Sequence, residues 1–374
     1  MNSLPNSRIG MQWMPAAELA RSHLLHDART LGVATHGGTA PLALAPHLPQ
    51  AHLQKGVLRT GAVDRADQVV ELWRGRAAAA DIAIGTARGR HNGEVMFATV
   101  SAAIADGGND ALGAATYAGY CSLLNMLHAA GYPHLLRVWN SIPGINVDDD
   151  GLERYRRFNL QRFAAYEESK LPTATGAPAA CALGSYGGPL VLYCLASKTP
   201  AEPIENPRQT SAYRYPQQYG PRAPSFSRAA LWRGGGDESD LLFVSGTASI
   251  VGHQTLHHGN VVAQTHETLT NLQSVVAAAV SQGAREVAIL PDLLLKAYVR
   301  NADDQPLVRQ ALAGHGLDAD AVLYLHADIC RAELLVEIEA IGPARVLQIK
   351  TEINDTQDSR SHSSTYNRAL PEIG

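Results

Sequence analysis

With 374 residues, 45% of them hydrophobic and 18% charged, the chain has a globular composition and room for two compact domains of ~100–200 residues. Its net charge of -4 supplies no basic field for nucleic acid and no polybasic patch for a membrane surface, so a small molecule is the expected ligand. No apolar run reaches the ~18–20 residues that span a bilayer, and the amino terminus lacks the apolar stretch of a secretory signal.

In chain order, residues 1–70 carry one amphipathic pattern (Leu19, Leu24, Leu25, Ala28, Leu31), expected as a helix that buttresses the neighbouring unit. From there the sequence repeats at an offset of about one domain length. Leu72-Trp73-Arg74-Gly75 leads to Ile84-Gly85-Thr86-Ala87, and Leu231-Trp232-Arg233-Gly234 leads to Ser245-Gly246-Thr247-Ala248. The runs Asp81–Ile84 and Leu241–Val244 read as strands before the second motif of each copy. A helix is predicted next in both: Tyr117, Tyr120, Leu124 and Leu127 before Gly131, and Leu269, Leu272, Val276 and Val280 before Gly283. Each glycine suits the left-handed conformation just past a last helical turn.

Matching strands come next at Leu135–Trp139 and Leu294–Tyr298. Aspartate-rich turns (Asp148–Asp150; Asp303-Asp304) open a second helix in each copy, the first carrying Leu152, Tyr155, Phe158 and Phe163 on one face. Pro189–Ala196 and Leu334–Ile338 close the copies as apolar strands. This order predicts an α+β fold of two tandem units, each a small mixed sheet with helices packed on one face. The expected division is 1–205 for an extension plus the first unit, 206–228 for a decorated connecting segment, 229–350 for the second unit, and 351–374 for a polar, mobile tail.

Cys121, Cys181, Cys194 and Cys330 lie far apart and match no C-x-x-C spacing, which predicts reduced thiols and a cytoplasmic protein. His253, His257, His258 and His266 cluster in sequence, and two imidazoles four apart can chelate a metal on a helix. Gly252 and Gly259 instead make that stretch a loop or hairpin, and no H-E-x-x-H pattern is present, so no metal or other cofactor is expected. Gly85-Thr86-Ala87-Arg88-Gly89-Arg90 matches neither a phosphate-binding loop nor a dinucleotide fingerprint. Glu337 stands in Leu334-Leu335-Val336-Glu337-Ile338, a strand apolar on both faces. Either it has a task inside the protein, or it belongs to an edge strand and faces water, as Glu339 on the same face would.

The second copy resembles the RidA/YjgF (chorismate mutase-like) fold through Ser245-Gly246-Thr247-Ala248, Gln264–Leu272, Leu295-Lys296-Ala297 and Leu335–Glu339. Two such copies with the intervening segment resemble the chorismatases, a group also labelled pteridine-dependent dioxygenase-like. That likeness covers about residues 70–345. It rests on Leu136–Pro143, Tyr155–Arg162, Ser211–Pro216, Tyr219–Ala229 and Ala327–Arg331 ahead of Glu337.

The resemblance implies an enzyme that releases pyruvate from chorismate to give 3-hydroxybenzoate, without metal and by an intramolecular route. Glu337 is implied as the general acid. Cys330, seven residues earlier, looks like the cysteine of the 3-hydroxybenzoate-forming type, its alternative being a small buried filler. The two substrate carboxylates call for guanidinium partners, for which Arg222, Arg228 and Arg162 are candidates; solvation or pairing with Glu202 and Glu205 is the competing role. Tyr213 and Tyr215 could hydrogen-bond the substrate, and the turn at Gly246, Thr247 and Ala248 could cradle an anion. A monomer or small homo-oligomer acting on chorismate alone is expected. Alternatives are a chorismate hydrolase giving a dihydroxycyclohexadiene carboxylate, a mixed 3-/4-hydroxybenzoate producer, and, more distantly, a histidine-ligated metal oxygenase. An enamine-deaminating relative is disfavoured, because Val322 stands where that type carries an arginine.

Overall fold

The computed structural model describes residues 8–58, 68–105, 110–236, 238–286 and 289–343. The expected tail 351–374 lies outside them, as do the last residues of the second expected domain. The amino-terminal part is a sheet of its own. Strands β1 (Ile9–Pro15), β2 (Thr30–Gly37), β3 (Gln50–Leu53) and β5 (Gln68–Gly75) pair in the order β1-β5-β2-β3, while β4 (Gly56–Val57) joins another sheet. The amphipathic helix expected over Leu19–Leu31 is instead a six-residue α1 (Ala16–Arg21) and a single 3-10 turn, Leu24–His26. Ser22 is extended and ends α1, and Leu31 already belongs to β2. A short helix followed by a strand gives nearly the same apolar spacing as one longer helix, which is why periodicity misled here.

The first unit contains β6 (Ala80–Ile84), β7 (Ala87–His91), β8 (Val95–Ala102), α2 (Ala111–Ala129) and β9 (His134–Pro143). It continues through a hairpin of β10 (Asp148–Asp149) and β11 (Leu152–Glu153), then α3 (Arg154–Glu168), β12 (Ala179–Ser185) and β13 (Leu190–Ser197). Its sheet runs β12-β9-β13-β8-β7-β6. The second unit holds β14 (Glu202–Ile204), β15 (Ala229–Trp232), β16 (Leu241–Ala248), the hairpin β17 (Ile250–Val251) and β18 (Gln254–Thr255), α4 (Val261–Ser281), β19 (Leu294–Val299), α5 (Gln305–Gly314), β20 (Leu323–His326) and β21 (Val336–Gly342). Its sheet runs β14-β15-β16-β21-β19-β20-β4.

Taken from opposite ends, the two orders coincide: β12, β9, β13, β8, β7, β6 match β20, β19, β21, β16, β15, β14. The tandem repeat is real, with both helix pairs, Gly131 (φ 76°) and Gly283 (φ 79°) where the sequence put them. Its first motifs were misaligned. Leu72–Gly75 lies on β5 of the amino-terminal sheet, and Ile84–Ala87 spans the turn between β6 and β7. The counterpart of β16 is β8, so a four-residue likeness had set a turn against a strand.

Each sheet carries its two helices on one face: Leu112, Leu123 and Phe158 pack under the first, Leu269, Val276 and Val308 under the second. The opposite faces meet each other and the amino-terminal sheet in a shared core built on Trp73, Phe97, Trp139, Tyr193, Trp232 and Tyr298. Trp139 and Tyr193 stack at 4.6 Å, 6° from parallel. No helix among the described residues is long and apolar enough to cross a membrane.

Candidate active site

Strand β21 lies between β16 and β19 in the middle of its sheet, not at an edge. Successive side chains of a strand point to opposite faces. Val336, Ile338 and Ala340 therefore enter the helix-side core, while Glu337 and Glu339 point to the face shared with the first unit. Both carboxyls are buried, at 3% and 1% exposure, which removes the water-facing alternative. The approach to β21 is clamped from both sides. Gln264 of α4 accepts from the Leu335 amide at 2.7 Å, and Arg300 donates to the Leu334, Ile329 and Arg331 carbonyls.

Room for the Glu337 carboxyl is made by β16. Pairing between β16 and β21 shifts between Val244 and Thr247, so Ser245 and Gly246 together oppose Glu339 in a β-bulge. A β-carbon on Gly246 would sit 1.9 Å from Glu337 Oε1 and 3.0 Å from the Cys181 β-carbon. Ser245 ties the bulge to the first unit, accepting from the Ala180 amide at 2.9 Å.

Above this floor opens a cleft of about 640 Å³ between the two units. The first unit contributes Asn146, Asp148, Leu152, Glu153, Tyr155 and Arg156. The connecting segment contributes Tyr215, Gln218, Tyr219, Pro224, Phe226 and Arg228. Gly246, Ala248, Ile250, Cys330, Arg331, Glu333 and Glu337 complete the wall from the second unit. A smaller annex, lined by Arg162, Ala180, Cys181 and Ala182, shares Tyr155, Phe226, Gly246, Cys330 and Glu337 with the cleft.

The electrostatics are lopsided. Burial, reinforced by the neighbouring Glu339 charge, pushes the Glu337 carboxyl up to about 8 against the pull of Arg137, Cys330 and Arg228. It is therefore an acid, not a carboxylate, at neutral pH. The Cys330 Sγ lies 3.9 Å from Glu337 Oε2. Burial first and Glu337 second push that thiol up, so Cys330 is no thiolate. Burial likewise raises the Tyr155 phenol, with Cys330 adding to the effect.

Three guanidinium groups reach the cleft or annex without a carboxylate within 4 Å among the described residues: Arg162, Arg228 and Arg331. Arg162, 2% exposed, donates to Asn159 Oδ1 at 2.9 Å. Arg228, 3% exposed, donates to the Thr210 carbonyl and the Tyr215 hydroxyl, both at 2.8 Å. Arg331 donates to the His253 carbonyl and lies over the Tyr219 ring at 4.0 Å. Each keeps a buried N–H with no partner among the described residues: Nε of Arg162 and Arg228, Nη2 of Arg331. Two buried cations and a half-buried one arranged so are poised for an anion with more than one carboxylate.

Of the residues singled out from sequence, Glu337, Cys330, Arg228, Tyr215, Gly246 and Ala248 share the cleft, and Arg162 lies in its annex. Arg222, Tyr213 and Thr247 do not line either. Arg222 stacks over Phe163 at 4.4 Å, Tyr213 lies beneath Arg214, and the Thr247 hydroxyl is spent on the Ser245 carbonyl at 2.9 Å. Tyr155, Tyr219, Phe226 and Arg331 went unmarked as site residues, although all four fall in the stretches that carry the family likeness. The histidines disperse: His253 meets Tyr219, and His266 faces His315 at 2.7 Å.

Comparison with known proteins points to one family. A family model described as chorismatase FkbO/Hyg5-like, N-terminal, matches residues 71–196. A chorismatase of Streptomyces rapamycinicus is 41% identical over 245 residues, covering 64% of this chain and 72% of that protein. The chain belongs to the chorismatase family. A 3-hydroxybenzoate synthase of Streptomyces hygroscopicus is 40% identical over 238 residues, covering 61% of this chain and 68% of that relative. A chorismatase crystal structure superposes with a TM-score of 0.78 at 32% identity, over 89% of this chain and 98% of its own. The family fold thus runs through both units of this chorismatase-family chain and not only the part matched by the family model.

Proposed function

We propose that this chorismate-converting enzyme releases pyruvate by proton transfer from Glu337 and yields 3-hydroxybenzoate without a metal. The observation that carries the reading is the neutral Glu337 carboxyl at the cleft floor, ringed by Arg162, Arg228 and Arg331 with no carboxylate of their own. Chorismate is a dianion whose vinyl ether needs a proton on its methylene carbon before the ether can break. A carboxylic acid kept protonated near neutral pH supplies it.

The step balances within the substrate. Glu337 protonates the enolpyruvyl methylene, giving an oxocarbenium ion that takes the C3–O electron pair and leaves as pyruvate. The C4 hydroxyl oxygen bonds to C3, and its proton returns to the Glu337 carboxylate. The resulting arene-oxide-like ring rearomatises to 3-hydroxybenzoate. The guanidinium groups hold the carboxylates, so the methylene faces Glu337 and chemistry is preceded by orientation. Cys330, a neutral thiol beside the acid, occupies space that an attacking water would need. Four free thiols suit a reducing cytoplasmic setting.

The test is to incubate the purified enzyme with chorismate in ¹⁸O-labelled water and identify the products. 3-Hydroxybenzoate without ring label supports internal transfer. A dihydroxycyclohexadiene carboxylate as the product would establish hydrolysis instead, unlabelled on the ring where water adds to the oxocarbenium carbon and labelled there where water displaces the ether at C3.

A further inference from the structure

Glu339, the second carboxyl on the same strand face, lies roughly 7 Å from Glu337 along β21. It touches neither the cleft nor its annex. It receives Arg137 Nη2 at 2.5 Å, Lys296 Nζ at 2.7 Å and the Trp139 indole N–H at 3.0 Å. Lys296 also meets Glu71 Oε1 at 2.5 Å, and Glu71 meets His36 Nε2 at 2.5 Å. This chain of charges links all three sheets through β9, β21, β19, β5 and β2, and every member is buried.

Two carboxyls so close divide one set of cations unequally. Glu339 holds Arg137 and Lys296 by direct contact; Glu337 has a thiol at 3.9 Å. We propose that Glu339 is a positioning residue for catalysis: fixed as a carboxylate by the three-sheet network, it withholds those cations from Glu337 and keeps the proton on it by repulsion. The inference rests on Glu337 being the general acid, and it gives the amino-terminal sheet a part in the chemistry through Glu71 and Lys296.

The shifts agree. Burial opposes ionisation of Glu339, yet Lys296 and Arg137 draw it down to about 2, and its charge is the second cause, after burial, of the rise at Glu337. The other titratable or charged groups around Glu337 are few on each element. Among the described residues they are Lys296 and Tyr298 of β19, Arg137 of β9, Cys181 of β12, Asp148 and Glu153 of the β10–β11 hairpin, Tyr155, Arg156 and Arg162 of α3, Tyr215, Tyr219 and Arg228 before β15, and Cys330, Arg331 and Glu333 before β21. Strand β16 presents none.

The test tracks the Glu337 proton directly, by infrared titration of its carboxylic acid carbonyl band, assigned by its loss in Glu337→Gln. In the parent enzyme the band disappears with a midpoint near 8. In Glu339→Gln the midpoint is expected to fall by roughly one pH unit or more, because Arg137 and Lys296 then act on Glu337 unopposed. In the double variant Glu339→Gln/Lys296→Met, which leaves Glu71 paired with His36 alone, one cation fewer acts on Glu337 and the midpoint falls by less; thermal melting checks that each variant folds. The alkaline limb of kcat/KM should move with the band. A midpoint unmoved in both variants overturns the role of Glu339. If the band shifts while Glu337→Gln still releases pyruvate, the general-acid reading fails and the electrostatic one stands.

Discussion

Gly246, in the bulge of β16, lies so close to the Glu337 side chain that a single methyl group on Gly246 would sit 1.9 Å from the carboxyl oxygen. The glycine is there for the space its missing side chain leaves. Gly246→Ala must therefore displace Glu337 or open the strand pair, and overpacking of this kind costs about 1–3 kcal/mol. The expected outcome is a fall in kcat on the order of 100-fold with a folded chain, measured by pyruvate release and thermal melting. Parent-level turnover would show that Glu337 need not stand where it does.

Arg228 and Arg162 are expected to act on binding. Losing one charged hydrogen-bond partner costs about 1.5–3 kcal/mol, which corresponds to roughly 10- to 150-fold in affinity. Arg228→Gln and Arg162→Gln should each raise KM for chorismate in that range. Arg222→Gln, whose guanidinium stacks on Phe163 away from the cleft, should leave KM near the parent value. Equal effects for all three would place the carboxylate sites elsewhere.

Under the proposed mechanism, Cys330 governs the fate of the substrate once the proton is delivered. Replacing its thiol by the smaller alanine opens space beside Glu337 that a water can enter. Cys330→Ala should lower the share of 3-hydroxybenzoate and raise that of the dihydroxycyclohexadiene acid, read by chromatography. An unchanged product ratio would remove Cys330 from product control.

The neutral acid also leaves a trace in stability. The proton on Glu337 is bound more tightly in the folded chain, at about 8, than on an ordinary carboxyl near 4.5, so unfolding releases it between those values. The stability this group contributes is complete below about 4.5 and is lost as pH rises through about 8. Glutamine does not titrate. Glu337→Gln should thus gain stability relative to the parent as pH climbs from 4.5 to 8, by a few kcal/mol on the order of the shift, and level off above it. Denaturant midpoints of the two proteins across that range check this; a constant difference would mean that Glu337 is ionised in the fold.

Much of this was written in the sequence. Helical spacing with a terminal glycine placed the first helix of each pair, aspartate-rich turns placed the second, and a charge inside Leu334–Ile338 marked Glu337 without any structure. The bulge at Ser245–Gly246 was not legible, because register depends on pairing partners far along the chain. Tyr155 read as part of an apolar helix face and of the family likeness, with no site role, whereas it lines both the cleft and the annex. Arg331 stood in the family likeness with no role of its own until the fold laid it on Tyr219. Glu339 resembled a water-facing residue because its partners Arg137 and Lys296 come from strands that only the tertiary fold brings together.

The most direct measurement is pyruvate release from chorismate by Glu337→Gln, alongside calorimetric binding of chorismate to the same protein. The amide keeps the shape of the carboxyl and has no proton to give. Binding retained with turnover lowered by at least about 10³-fold is the expected result. Turnover close to the parent enzyme would mean that the proton comes from another group.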